Sequence, residues 1–80
     1  MRARVAVSFR AGVLDPEAAA IGKSLQGLGF DTVKGVRRTK LIELDLDETD
    51  RAAAEAKVRS MCDKLLANPV IESYQVSLEG

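Results

Sequence analysis

Apolar and polar residues alternate at the start of the chain. Ala3, Val5, Val7 and Phe9 fall on one side, and Arg2, Arg4, Ala6, Ser8 and Arg10 on the other, which is the period-two pattern of a half-buried strand. Gly12 breaks it. Asp15-Pro16-Glu17 then reads as a helix start: a capping side chain, a proline at the first helical position and an acid at the positive end of the helix dipole. Ala18, Ile21, Leu25 and Leu28 follow at spacings of three and four and make one apolar helical stripe. Gly29 suits the left-handed residue just past a helix end, with Phe30 placed to pack back onto it.

Residues 32–47 read as extended. Val33 and Val36 flank Gly35, and Ile42, Leu44 and Leu46 alternate with Glu43, Asp45 and Asp47. Two strands turning near Arg38-Thr39 fit this stretch best, and one long strand bent at Gly35 is the alternative. Thr49 or Asp50 can cap a second helix whose expected buried face is Ala54, Val58, Met61 and Leu65, with Glu55–Arg59 and Arg59–Asp63 as four-apart pairs outside. Asn68-Pro69 ends that helix. A last strand is predicted from Val70 to Leu78, with Tyr74, Val76 and Leu78 in phase. The expected order is βαββαβ. It describes an α+β fold of the ferredoxin-like, two-layer plait type, with two helices on one face of an antiparallel sheet and a single domain over residues 1–80.

Size and charge narrow the function. Eighty residues leave room for one small core, which buries only about 60–65% of the unfolded surface, so partners or self-association are expected to support the fold. Twelve basic and twelve acidic residues cancel, leaving no electrostatic footprint for nucleic acid. RNA recognition by a plait also uses aromatics on the open sheet face, where Arg4, Ala6, Ser8, Leu41, Glu43 and Asp45 are expected instead. No apolar run approaches the ~20 residues of a membrane span. No signal-peptide stretch opens the chain, and a single cysteine builds no disulfide framework; a cytoplasmic location is expected.

Candidate chemistry is sparse. The chain has no His and no Trp, which removes His-based acid–base work and Cys/His metal sites. Cys62 lies near a helix C-terminus beside Met61 and Leu65 and reads as a packed thiol rather than a nucleophile. Glu43, Asp45, Asp47, Glu48 and Asp50 could approach Mg²⁺, but strand alternation and helix capping account for most of them. Gly12 before a helix is too little for a phosphate-binding loop. Arg10 with Asn68 is a poor match to the Arg/Asn pair of acyl-phosphate hydrolysis, since Asn68 lies at a helix end. The basic run Lys34, Arg37, Arg38 and Lys40 is the remaining feature. Its core, Arg37, Arg38 and Lys40, is the candidate partner-binding set, on an exposed turn or rim that the fold is not expected to need; a solvated rim is the competing reading.

Particular strings then say more than periods do. Gly12-Val13-Leu14-Asp15-Pro16, Leu28-Gly29-Phe30, and Val36-Arg37 leading to Lys40 and Glu43-Leu44 resemble the PurS family. So does the block Met61-Cys62, Lys64-Leu65-Leu66-Ala67-Asn68-Pro69-Val70-Ile71-Glu72 with Tyr74. Thr39 stands where the family commonly has Gly. The resemblance spans essentially the whole chain, in order. It implies a non-catalytic small subunit of phosphoribosylformylglycinamidine synthase, acting in de novo purine biosynthesis. In that complex a glutaminase subunit (PurQ) releases ammonia and a synthetase subunit (PurL) uses ATP and Mg to activate formylglycinamide ribonucleotide. The small subunit is expected to bridge the two, to assist ammonia transfer, to self-associate as a dimer or larger, and to bind no cofactor itself. A dimeric small-molecule-sensing regulatory plait is the alternative.

Overall fold

Hydrogen bonding on both edges makes β1 (Arg2–Phe9) the centre of a three-stranded antiparallel sheet, between β2 (Thr39–Asp45) and β3 (Glu72–Glu79). The structure, a computed structural model, describes residues 1–79. Register aligns Ala3 with Leu44 and Leu78, Val5 with Ile42 and Val76, and Val7 with Lys40 and Tyr74. Because side chains alternate across a sheet, these residues share one face, and Ala3, Val5 and Val7 on the central strand are buried. The opposite face carries Arg4, Ala6, Ser8, Leu41, Glu43 and Asp45 as expected, knitted by Arg2–Asp45 and Arg2–Glu43 at 3.2 and 3.5 Å and by Arg4–Glu43 at 3.6 Å. Exposed pairs of this kind add little stability each, but a one-residue slip of β2 would break all of them.

α2 (Arg51–Met61) packs on the apolar face. Asp50, not Thr49, is its cap, with the Ala52 N–H donating to the carboxylate at 3.1 Å. Ala54 and Val58 are buried as the spacing predicts, but Met61 and Leu65 are not: they are 37% and 83% exposed. The helix continues as one turn of π-helix, Cys62–Leu66, closed by the Ala67 N–H donating to the Cys62 carbonyl at 3.0 Å. A π-turn widens the helix, so residues four apart stay in line. The stripe therefore runs 54, 58, 62, 66, putting Cys62 in the core and Leu66 against it. Asn68 and Pro69 then form a turn in which Val70 and Ile71 are exposed, and β3 starts at Glu72 rather than Val70.

The α+β class with an antiparallel sheet and two helices stands, but the strand count changes. Residues 32–38 are not a strand, and β2 begins only at Thr39, giving βαβαβ. Val33 and Val36 are three apart and serve a helix instead. Val36 lies against Gly22 of α1 (Pro16–Gly27), where a β-carbon would meet its Cγ2 at 3.5 Å, and Gln26 Nε2 donates to the Val33 carbonyl at 3.0 Å. Thr39 pairs with Ser8 and lies outside the left-handed region, so the position does not need glycine.

α1 starts and stops as its sequence dictates. Asp15 accepts from the Glu17 and Ala18 N–H groups at 3.0 and 3.2 Å. At the other end Gly29 has φ 98°, its N–H donates to the Gln26 carbonyl, and the Phe30 N–H donates to the Leu25 carbonyl, both at 3.0 Å, which is a Schellman cap. Its apolar stripe, however, is not used on the sheet. Only Ala18 is buried, while Ile21, Leu28 and Phe30 are exposed. The molecule measures 50 × 25 × 14 Å with a radius of gyration of 16.1 Å, against about 12 Å for a compact domain of this length. Strands of this length span about 27 Å and α1 about 18 Å. α1 and the 30–38 return thus form an arm beyond the end of the sheet where Phe9 leaves and Thr39 enters.

Candidate docking surface

The arm leaves the sheet beside the basic run, and the structure gives its three cations different roles. Arg38 is structural. Its Nε and Nη2 donate to the two Asp15 carboxylate oxygens at 3.1 and 3.0 Å, and its Nη1 donates to Glu17 at 2.6 Å. This planar, two-pronged pairing ties the return segment to the cap of α1, so the expectation that the fold needs none of the three cations is corrected for Arg38. Arg37 and Lys40 are exposed, and among the described residues neither is in an ion pair. Lys40 projects from β2 on the same face as Val7. All three cations line one open groove of about 620 Å³ together with Ser8, Phe9 and Glu72.

The Arg38 hydrogen bond holds the Asp15 carboxyl below the usual carboxylate range, aided by the Ala18 and Glu17 N–H groups and opposed by desolvation. Because folding lowers this pKa, the contact contributes fully above the unfolded value of about 3.9 and is lost as pH falls through the lower folded value. In an acid titration followed by far-ultraviolet circular dichroism, Arg38→Ala should lose helicity at higher pH than the parent. Superimposable curves would remove Arg38 from the arm's support.

The remaining candidates resolve into scaffold roles. Arg10 donates to the Pro69 carbonyl at 3.0 Å, and Asn68 accepts from the Val70 N–H at 3.0 Å, so both hold the turn before β3. Lys57 pairs with Glu48 at 2.6 Å and draws its pKa down. Asp50 caps α2, and among the described residues no three His, Cys, Asp or Glu side chains are placed to hold a metal. Cys62 is buried, and desolvation, then Asp63, push its pKa up, which disfavours thiolate. What sequence reasoning missed is the exposed apolar set on the arm: Leu14, Ile21, Leu28 and Phe30. Stripe periodicity reports that a face will be covered, not by what.

The arm stands off the core, and most of the acids are engaged in caps and ion pairs. The family model PurS, phosphoribosylformylglycinamidine (FGAM) synthase, matches residues 2–80. The chain belongs to the PurS family. It is 49% identical over 71 residues to the PurS subunit of Synechocystis sp., covering 89% of this chain and 71% of that one. The Bacillus subtilis PurS structure superposes with a TM-score of 0.90 at 38% identity, covering 99% of this chain and 98% of that one. A chain of the PurLQS structure from Thermotoga maritima superposes with a TM-score of 0.81 at 32% identity, covering 96% of each. The off-sheet arm is therefore the PurS fold itself.

Proposed function

We infer that this chain, as the PurS subunit of phosphoribosylformylglycinamidine synthase, bridges the glutaminase subunit (PurQ) and the synthetase subunit (PurL) and assists the passage of ammonia between them. The observation that carries this is the PurS match over residues 2–80, supported by likeness to a chain of an assembly designated PurLQS. In the reaction, ammonia freed from glutamine displaces the amide oxygen of formylglycinamide ribonucleotide after ATP and Mg activate it on the synthetase. Ammonia that escapes to water is protonated and lost as a nucleophile, so a subunit that seals a junction against solvent affects the rate without supplying a reacting group. This chain's own residues hold surfaces in place: a charge-knitted sheet, an arm fixed by Arg38, and free cations at its base. A site of action in the cytoplasm follows from that role, and no helix here is long and apolar enough to cross a membrane.

The base of the arm is where a larger subunit docks in this reading. Arg37 and Lys40 have long side chains, unpaired among the described residues, that are available to carboxylates across an interface. Arg37→Glu with Lys40→Glu should leave the melting temperature nearly unchanged and weaken co-purification with PurL and PurQ at low salt. Undiminished recovery of the complex would make these cations a solvated rim. Failure of the parent chain to co-purify with either subunit would refute the subunit role itself.

A further inference from the structure

Two hollows meet at the base of the arm. One, of about 670 Å³, reaches from Arg10 to Arg37, and Val13, Ala18 and Val36 give it an apolar stretch. The other, of about 620 Å³, holds Arg37, Lys40 and Glu72. Half-buried Phe9 lines both, as do Asp15, Arg37 and Arg38, so the two are halves of one groove. Charge along it is uneven. Four cations, Arg10, Arg37, Arg38 and Lys40, stand against two acids, Asp15 and Glu72, which leaves a net charge of +2. The whole chain sums to zero, so the excess is local to the groove. Arg10 is held by the Pro69 carbonyl, Arg38 by Asp15 and Glu17, and Glu72 by the Asn68 N–H at 2.7 Å. Among the described residues Arg37 and Lys40 are in no ion pair.

We propose that this groove binds a phosphate monoester carrying a flat apolar group, with the phosphate between Arg37 and Lys40 and the flat group on the Phe9 ring. An Arg offers a planar fork to two phosphate oxygens, and a Lys adds a point charge. Above its second pKa of about 6 a monoester is a dianion, which matches two free cations where a carboxylate would match one. Phe9 and the apolar stretch beside it supply the other half of the recognition, since flat rings stack offset with centroids about 4.5–7 Å apart. Apolar walls with a few placed polar groups, enclosing about 300–1,000 Å³, are the usual make-up of a small-molecule site. The same two cations are those offered to a larger subunit, so in that reading a bound ester competes with docking. The binding itself stands on the groove alone.

Titration of the isotope-labelled full chain with phenyl phosphate, followed by amide chemical shifts at low salt and about pH 8, where the ester is a dianion, tests this. Saturable shifts should fall on residues 8–15 and 36–40, with a Kd at least about tenfold below that of inorganic phosphate. Phenol should not saturate. Arg37→Gln with Lys40→Gln should weaken phenyl phosphate at least about tenfold at an unchanged melting temperature. Phe9→Leu, with circular dichroism at the parent's level, should bring phenyl phosphate down to the affinity of inorganic phosphate and leave the latter unchanged. Equal affinity of the parent for the two phosphates would overturn the proposal. So would undiminished binding by the doubly substituted chain, or shifts that fall elsewhere on the molecule. Each readout uses this chain alone, so its outcome is separate from that of the co-purification above.

Discussion

Val58→Asp should abolish cooperative folding, whereas Met61→Ala, one turn further along the same helix, should shift the melting temperature only slightly. Val58 is fully buried among Ala3, Val5, Val7 and Cys62, and among the described residues no polar or charged residue is buried there. An ionised carboxylate there loses its hydration without gaining a partner, which costs several kcal/mol. The whole stability of an 80-residue domain is only about 4–12 kcal/mol. Met61 already reaches solvent, so truncating it falls among surface changes of about 0.5 kcal/mol or less, which is at most about 4 °C at this size. Thermal denaturation followed by circular dichroism separates the two. Equal losses would mean that Met61 packs in the core rather than reaching solvent.

That pair of variants also marks where the sequence stops being legible. Asp15, Gly29 and the alternation in β1 act through contacts within a few residues or through a strict period, and each reads directly from the chain. The π-turn does not, because widening one helical turn is decided by what Cys62 and Leu66 meet on the sheet, and those partners are on distant strands. Residues 32–38 mislead for a related reason: Val33 and Val36 are as compatible with a strand as with a strap lying on α1, and only the helix they contact decides between them. Among the site residues, the sequence marks the cations at positions 37, 38 and 40 but is blind to the division of labour among them. Arg38 is committed to Asp15 and Glu17, more than twenty positions away, while its neighbours remain available. Exposure of the α1 stripe was hidden as well, since an apolar face awaiting a partner has the same pattern as one facing its own core.

Removing this chain from the reconstituted synthase should suppress glutamine-dependent formation of formylglycinamidine ribonucleotide far more than ammonia-dependent formation. In the proposed role the larger subunits activate the amide and cleave glutamine; the sequence of this chain has no His, and its Cys62 is buried with a raised pKa. Its absence should therefore leave the synthetase chemistry intact when ammonia is supplied from solution. The transfer step is different, because ammonia released at one subunit must reach another before water protonates it, and in the proposed role this chain closes the junction between them. The direct measurement is the initial rate of product formation by PurL and PurQ with saturating ATP and Mg, with and without this chain, and with glutamine or ammonium as nitrogen source. The account predicts a glutamine-dependent rate at least about tenfold lower without the chain, equivalent to about 1.4 kcal/mol in the effective barrier, and an ammonium-dependent rate changed far less. Equal losses with both nitrogen sources would contradict it.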